Sequence, residues 1–235
     1  MMAHDLGITA NVIHRVFFLK FGSGTATAFT VEVDGREYLI TAKHAVVSFV
    51  ENDSIELYSN NAWVKFHPKL VGHCDGDCDI SVFALPRRLT PDNLPMEVSS
   101  DGVFYGQTAY FLGFPYGLIG KLTLGTDGFP LPFVKRATIS LFDGSVLYLD
   151  GHNNAGFSGG PVVFREANKP DLRVAAVISG FRAVREPVYS GKSTTPLTVV
   201  DNTGIIIAHK VDVAVKLIRS NPIGFEVSTS GVKTK

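Results

Sequence analysis

The sequence predicts an all-β protein: two antiparallel six-stranded β-barrels followed by a short C-terminal α-helix. Three observations lead there. Short runs rich in β-branched and aromatic residues recur along the chain, as suits a pleated, half-buried surface. Two-residue turn signals separate several of them, among them Asp34-Gly35, Asn60-Asn61 and Asp143-Gly144. One proline-rich connection then divides the runs into two sets.

In the first set, Arg15 to Phe21 and Thr25 to Val33 lead into Asp34-Gly35, where glycine accepts positive φ without a Cβ clash. Arg36 to Thr41 is the returning strand. Ile55 to Tyr58 and Trp63 to Phe66 flank Asn60-Asn61, and Asp79 to Leu85 closes the set. Between positions 86 and 103, Pro86, Pro91 and Pro95 with Asp92-Asn93 and Ser99-Ser100 mark a connection. Strands are expected to resume at Thr108 to Leu112, Phe133 to Leu141, Ser145 to Leu149, Pro161 to Phe164, Arg173 to Ser179 and Gly204 to Ala208. Arg182 to Asn202 reads as a long loop. The last element is a helix over Val213 to Arg219, with Asp212 as its N-cap. The expected division is a first barrel over residues 1–100 and a second over 101–235.

Composition narrows the function. The 235 residues include 45% hydrophobic and 19% charged, a globular balance that excludes disorder and fibrous repeats. Lys plus Arg equals Asp plus Glu, 22 against 22, which speaks against a nucleic-acid partner. No apolar stretch is long enough to span a bilayer, so no membrane partner is expected. The opening Met1-Met2-Ala3-His4-Asp5-Leu6-Gly7 lacks the pattern of a signal peptide, and a cytoplasmic protein is expected.

The segment Asn154-Ala155-Gly156-Phe157-Ser158-Gly159-Gly160-Pro161 carries the most chemical information. A serine hydroxyl is a weak nucleophile at neutral pH, so it needs a base and donors for the oxyanion that follows. Flanking glycines let backbone N–H groups converge, here those of Gly156 and Ser158. Taken alone the segment also fits an ordinary turn. Leu39 to Val46 places His44 where an apolar strand ends, and Cys78 to Leu85 places Asp79 where another begins. Each of these alone also fits a structural residue. Together they give the order His, Asp, Ser, with separations of 35 and 79 residues. Asp75 and Asp77 are rival acids, and Asp79 is preferred because it alone adjoins the apolar strand.

Thr41-Ala42-Lys43-His44, Asp79-Ile80-Ser81-Val82 and Gly156-Phe157-Ser158-Gly159-Gly160-Pro161, in that order, resemble the motifs of chymotrypsin-like serine peptidases. Phe111 to Leu118 is similar to the segment opening the second barrel of the bacterial Deg/HtrA branch. Val177-Ile178-Ser179-Gly180 and Thr203 to Ala208 look like that branch's pocket-lining strands. The resemblance runs from about Phe17 to Ile218. It implies a double barrel, a His44–Asp79–Ser158 triad, an oxyanion hole at Gly156 and Ser158, a polypeptide substrate and no cofactor. His152, Ser179, Gly180, Phe181 and Gly204 fall at substrate-binding positions.

Three departures matter. Phe157 stands where members activated by a new N-terminus carry an Asp, so that pairing is not expected and the oxyanion hole must be organised another way. The PDZ domain common in the Deg/HtrA branch is not expected here. His152 in place of an acid at the pocket base leaves two side-chain classes open: a small or medium apolar P1 residue, or Glu or Gln beside a histidine. The alternative to an enzyme is a catalytically silent pseudoprotease that binds peptides or proteins. The segment His73 to Asp79 suggests a metal site at first sight, but its Cys spacing does not match zinc ligands. It is read as an acidic turn with two reduced cysteines, in preference to a metal site or to a local disulfide beside Asp79 acting as a redox control.

Overall fold

The computed structural model describes residues 7–92, 94–120, 129–167 and 169–227; Met1 to Leu6 and the Asn93 half of one turn signal lie outside them. The first sheet holds β1 (Val16–Phe21), β2 (Gly24–Val33), β3 (Arg36–Thr41), β4 (Ile55–Ser59), β5 (Ala62–Phe66), β6 (Lys69–His73) and β7 (Ser81–Ala84). The second holds β8 (Glu97–Val98), β9 (Thr108–Gly113), β10 (Phe133–Asp143), β11 (Val146–Asp150), β12 (Pro161–Arg165), β13 (Leu172–Ser190) and β14 (Ser193–Lys210). A two-residue β15 (Phe225–Glu226) joins the first sheet beside β3.

The strand order is β5-β4-β1-β2-β3-β7-β6 in the first sheet and β12-β9-β10-β11-β14-β13-β8 in the second, where β12 also pairs β13 and closes a ring. Pairing is antiparallel throughout, except for the short β8 alongside β13. The expected all-β class with a short terminal helix is therefore what forms. Both early hairpins turn as their sequences require: Asp34 and Gly35 have φ of 49° and 75°, Asn60 and Asn61 of 51° and 59°. Positive φ at both central residues matches the right-handed strand twist, and Asn, Asp and Gly adopt it at least cost.

Three local expectations are corrected. Arg182 to Asn202 is no loop but the distal half of a ribbon, in which Val184 pairs Asp201 and Glu186 pairs Val199. Asp212 does not cap the last helix. That helix, α3 (Asp212–Ser220), starts after Val211, which has helical φ and ψ, so Asp212 lies in the first turn and accepts from Ser100 N–H at 3.2 Å. Two single-turn helices, α1 (Ala10–Ile13) and α2 (Lys43–Val46), are also present.

The connection between the sheets is anchored along its length. The buried Glu37 accepts from Leu89 N–H at 2.6 Å and Thr90 N–H at 3.0 Å, and Arg15 donates to the Leu94 carbonyl. Chain contacts also return across the fold, because α3 packs against β6 and β7. One core cluster draws on both sheets, with Phe18, Phe29 and Ile40 meeting Phe114, Val163 and Val177. A second lies within the closed ring and contains Phe111, Phe157 and Phe164. Phe164 is fully buried there, so Phe164→Ala is expected to lower unfolding stability by about 3–5 kcal/mol, measured by urea denaturation.

Candidate active site

His44, Asp79 and Ser158 come together from three different elements. Strand β3 ends at Thr41 and the chain turns at once into α2, which carries His44. The turn between β6 and β7 delivers Asp79 beside it. Asp79 Oδ1 accepts the His44 amide N–H at 2.8 Å and Oδ2 meets His44 Nδ1 at 2.6 Å. One carboxylate thus fixes both the backbone and the ring of the histidine. The His44 side chain is 55% exposed and that of Asp79 only 13%, so the ring faces the cleft while the acid is shielded.

The two ionisable groups shift in opposite directions. Hydrogen bonding to Asp79 raises the His44 pKa above the usual imidazole value, outweighing burial, which lowers it; the carboxylate charge adds to the rise. Burial pushes the Asp79 carboxyl up, but hydrogen bonds from His44 and Ser179 outweigh it and hold the group below the usual carboxylate range. Both shifts move the pair toward its charged forms, imidazolium and carboxylate.

Ser179 joins the two halves. Its Oγ donates to Asp79 Oδ2 at 2.6 Å, and its carbonyl accepts the Ser158 hydroxyl at 3.0 Å. A register shift in the β13–β14 ladder between Ile178 and Gly180 leaves Ser179 outside the regular pairing. The Ser158 hydroxyl therefore rests on the Ser179 carbonyl, with no hydrogen bond to His44 in this state.

The main chain of the loop that carries Ser158 is held by hydrogen bonds. Thr27, fully buried on β2, donates from Oγ1 to the Gly156 carbonyl at 2.7 Å and accepts there from Phe114 N–H at 3.1 Å. Its own N–H donates to the Ser158 carbonyl at 2.8 Å. Tyr116 N–H donates to the Ala155 carbonyl at 2.8 Å, turning that oxygen away and leaving the Gly156 N–H on the opposite side of the peptide plane. No described residue accepts from the N–H groups of Gly156 or Ser158, the two expected oxyanion donors. A cleft of about 370 Å³ adjoins them, lined by Gly24, Ala26, His44, Ala45, Gly156 and Ser158.

Solved structures that share this architecture include two proteases. Rv3671c from M. tuberculosis H37Rv, an inactive serine-to-alanine mutant, superposes with a TM-score of 0.57 at 16% identity, over 95% of this chain and 91% of its own. The HtrA-type protease AlgW, bound to a tripeptide, gives a TM-score of 0.59 at 20% identity over 90% of this chain. This chain spans only 61% of AlgW. No family model and no curated protein matches the sequence. The fold is that of the chymotrypsin-like serine proteases.

Within that fold the expected substrate-binding residues take distinct places. Ser179, Gly180 and Phe181 run half-buried along β13. Gly204 has φ of +76° and accepts from Gly151 N–H at 2.9 Å, which sets it beside the exposed His152. The His152 carbonyl accepts from Lys135 Nζ at 2.6 Å. The expected pair of reduced cysteines is corrected. Gly76, at φ +59°, and a Cys78 N–H bond to the Asp75 carbonyl bring the Cα atoms of Cys74 and Cys78 to 5.7 Å, and the two form a disulfide. Among the described residues no helix is long and apolar enough to cross a membrane.

Sequence reasoning passed over Thr27, Tyr116, Lys43 and Lys135. A threonine in a β-run and a lysine beside a histidine carry no distinguishing spacing. Thr27→Val keeps the shape but strands the Gly156 carbonyl and Phe114 N–H, so a loss of about 1–3 kcal/mol is expected, read from the denaturation midpoint.

Proposed function

We propose that this chain is a serine endopeptidase acting through His44, Asp79 and Ser158. The observation that carries the reading is the continuous chain of hydrogen bonds from His44 through Asp79 and Ser179 to the Ser158 hydroxyl, beside two unengaged N–H donors.

Ser158 Oγ attacks the scissile carbonyl carbon and its proton passes to His44 Nε2. Negative charge develops on the carbonyl oxygen and is met by Gly156 and Ser158 N–H. His44 then gives the proton to the departing amine as the C–N bond breaks, leaving an acyl-enzyme. Water, deprotonated by His44, hydrolyses the ester and restores Ser158. Asp79 stays ionised throughout and holds the ring in place.

Substrate binding prepares this sequence. An extended peptide lying along Ser179 to Phe181 pairs by β-augmentation. Its P1 N–H takes the Ser179 carbonyl as acceptor, and the Ser158 hydroxyl is freed to turn toward His44. The tripeptide on AlgW is consistent with a polypeptide ligand for this fold. The cleft past His44 suits the residue on the leaving side.

One observation favours the second reading, a pseudoprotease that binds peptides: the Ser158 hydroxyl is engaged by Ser179 rather than by the base. Labelling with a fluorophosphonate probe separates the two. Wild type is expected to label, and Ser158→Ala is not. Wild type that stays unlabelled from about pH 6 to 9 would sink the peptidase reading and leave the binding module.

The pH profile follows from the raised His44 pKa. Only neutral imidazole accepts the serine proton, so acylation is low at acid pH and rises through a midpoint above the usual histidine value. Asp79→Asn removes the hydrogen bond and charge that raise it. The midpoint is expected to fall toward the ordinary value while the plateau rate drops by about 10⁴, both read from probe labelling against pH.

A further inference from the structure

Lys135 stands on β10 between residues whose side chains face outward. Ala137 and Ile139 are buried and Arg136 and Thr138 exposed; Lys135, partly exposed, falls in the same alternating set as Ala137 and Ile139 and reaches the loop that carries Ser158. Its Nζ donates to the His152 carbonyl at 2.6 Å and to Asn154 Oδ1 at 2.6 Å. The same ammonium lies 5.6 Å from the centroid of the Phe157 ring. That ring is fully buried and packs edge-on against Phe111 at 4.9 Å.

These contacts converge on the segment that must present the oxyanion donors. Asn154 is gripped on two further sides: its Nδ2 donates to Tyr116 Oη at 3.3 Å and its carbonyl accepts Phe157 N–H at 3.3 Å. Tyr116 is itself held at φ +53°, a costly conformation for a tyrosine. Gly156 follows at φ +102°. Neither Phe157 nor Asn154 carries charge, so the cation is neutralised by no acid in the loop and is held by a carbonyl, an amide oxygen and a π face.

We infer that Lys135 is a positioning residue that fixes the 152–157 segment so that Gly156 N–H points into the oxyanion hole. The inference rests on the peptidase reading of Ser158. Lys135 touches neither the triad nor the hole, and it acts through Asn154 and Phe157. Burial lowers the Lys135 pKa, in keeping with an ammonium partly shielded against the loop.

The test is the inactivation of wild type, Lys135→Met, Lys135→Arg and Asn154→Ala by a fluorophosphonate, with rate constant and affinity measured separately. Lys135→Met keeps the aliphatic stem and removes the donor. Its maximal inactivation rate is expected to fall by about 10- to 100-fold, less than the 10²–10³ lost when an oxyanion donor itself is deleted. Probe affinity is expected to stay within about twofold, because the segment's orientation and not the cleft has changed. Lys135→Arg, which can still span both oxygens, should recover most of the rate.

Asn154→Ala should reproduce the loss, and the double variant should be no slower than either single one. This comparison still decides the matter if Lys135→Met melts below the assay temperature, since Asn154→Ala and Lys135→Arg carry it. Wild-type labelling with unchanged rates in the variants would overturn the inference and leave the peptidase reading standing. So would an effect confined to the affinity for acidic P1 peptides, which would make Lys135 a specificity residue. An inert wild type would remove the peptidase reading first, and this inference with it.

Discussion

Three glycines of the loop that carries Ser158 lie against main-chain carbonyl oxygens so closely that no side chain fits between. A Cβ on Gly156 would overlap the Phe114 oxygen, one on Gly159 the Thr27 oxygen, and one on Gly160 the Leu112 oxygen. Gly156 and Gly159 also have φ of +102° and +83°, which L side chains rarely adopt. The Thr27 carbonyl belongs to the first sheet and the loop to the second, so the approach at Gly159 sets how near the two sheets come. Thr27 then uses every polar group it has on this seam. Its N–H binds the Ser158 carbonyl, its Oγ1 binds Gly156 and Phe114, and its carbonyl accepts from Thr41 Oγ1 at 2.8 Å. Buried polar groups left without partners cost far more than a satisfied set contributes. A relative shift of the sheets would break several of these bonds at once, and the distance from Ser158 to His44 is set by the same seam.

The acid half of the site is built in a different way. Asp79 follows a turn closed by the Cys74–Cys78 disulfide. Lys43 reaches across and donates to the carbonyls of Cys74 at 2.9 Å and Gly76 at 3.1 Å. The Cys74 N–H and the Ile80 carbonyl are paired at 2.9 Å, and Lys43 N–H meets the Asp79 carbonyl at 3.3 Å. The residue next to His44 therefore holds the turn that presents Asp79, and Asp79 in return holds His44. A cross-link and hydrogen bonds, several of them charge-assisted, order this side, not steric exclusion.

This difference explains what could be read before the structure. Steric constraints leave a residue-type signature, and Gly156-x-Ser158-Gly159-Gly160 was legible because almost nothing else can occupy those backbones. Turns with two positive φ values, at Asp34-Gly35 and Asn60-Asn61, were legible for the same reason. Strand β6 was missed because Lys69-Leu70-Val71-Gly72-His73 is short and its partner register slips between Leu70 and Gly72. The ribbon beyond Arg182 was missed because most of its residues on both faces are exposed, so no burial alternation marks it as strand. Lys135 was within reach: with the buried Ala137 and Ile139 it keeps period two along β10, which marks it as a lysine near the core side of the sheet.

The resting position of Ser158 follows from the same division. The packed half fixes its backbone, and the polar half competes for its hydroxyl. The Ser179 carbonyl holds that hydroxyl at 3.0 Å while Ser179 Oγ is committed to Asp79. Because Ser179 is anchored by Asp79 and by the ladder on either side of its bulge, its carbonyl cannot follow the hydroxyl toward His44. A ligand that supplies an N–H to that carbonyl replaces one hydrogen bond with another, so the exchange is nearly neutral in energy. On the proposed peptidase reading, release of the Ser158 hydroxyl is tied to the same backbone pairing that would align a peptide. A bound chain that fails to reach the Ser179 carbonyl leaves the serine engaged there, whatever else it contacts.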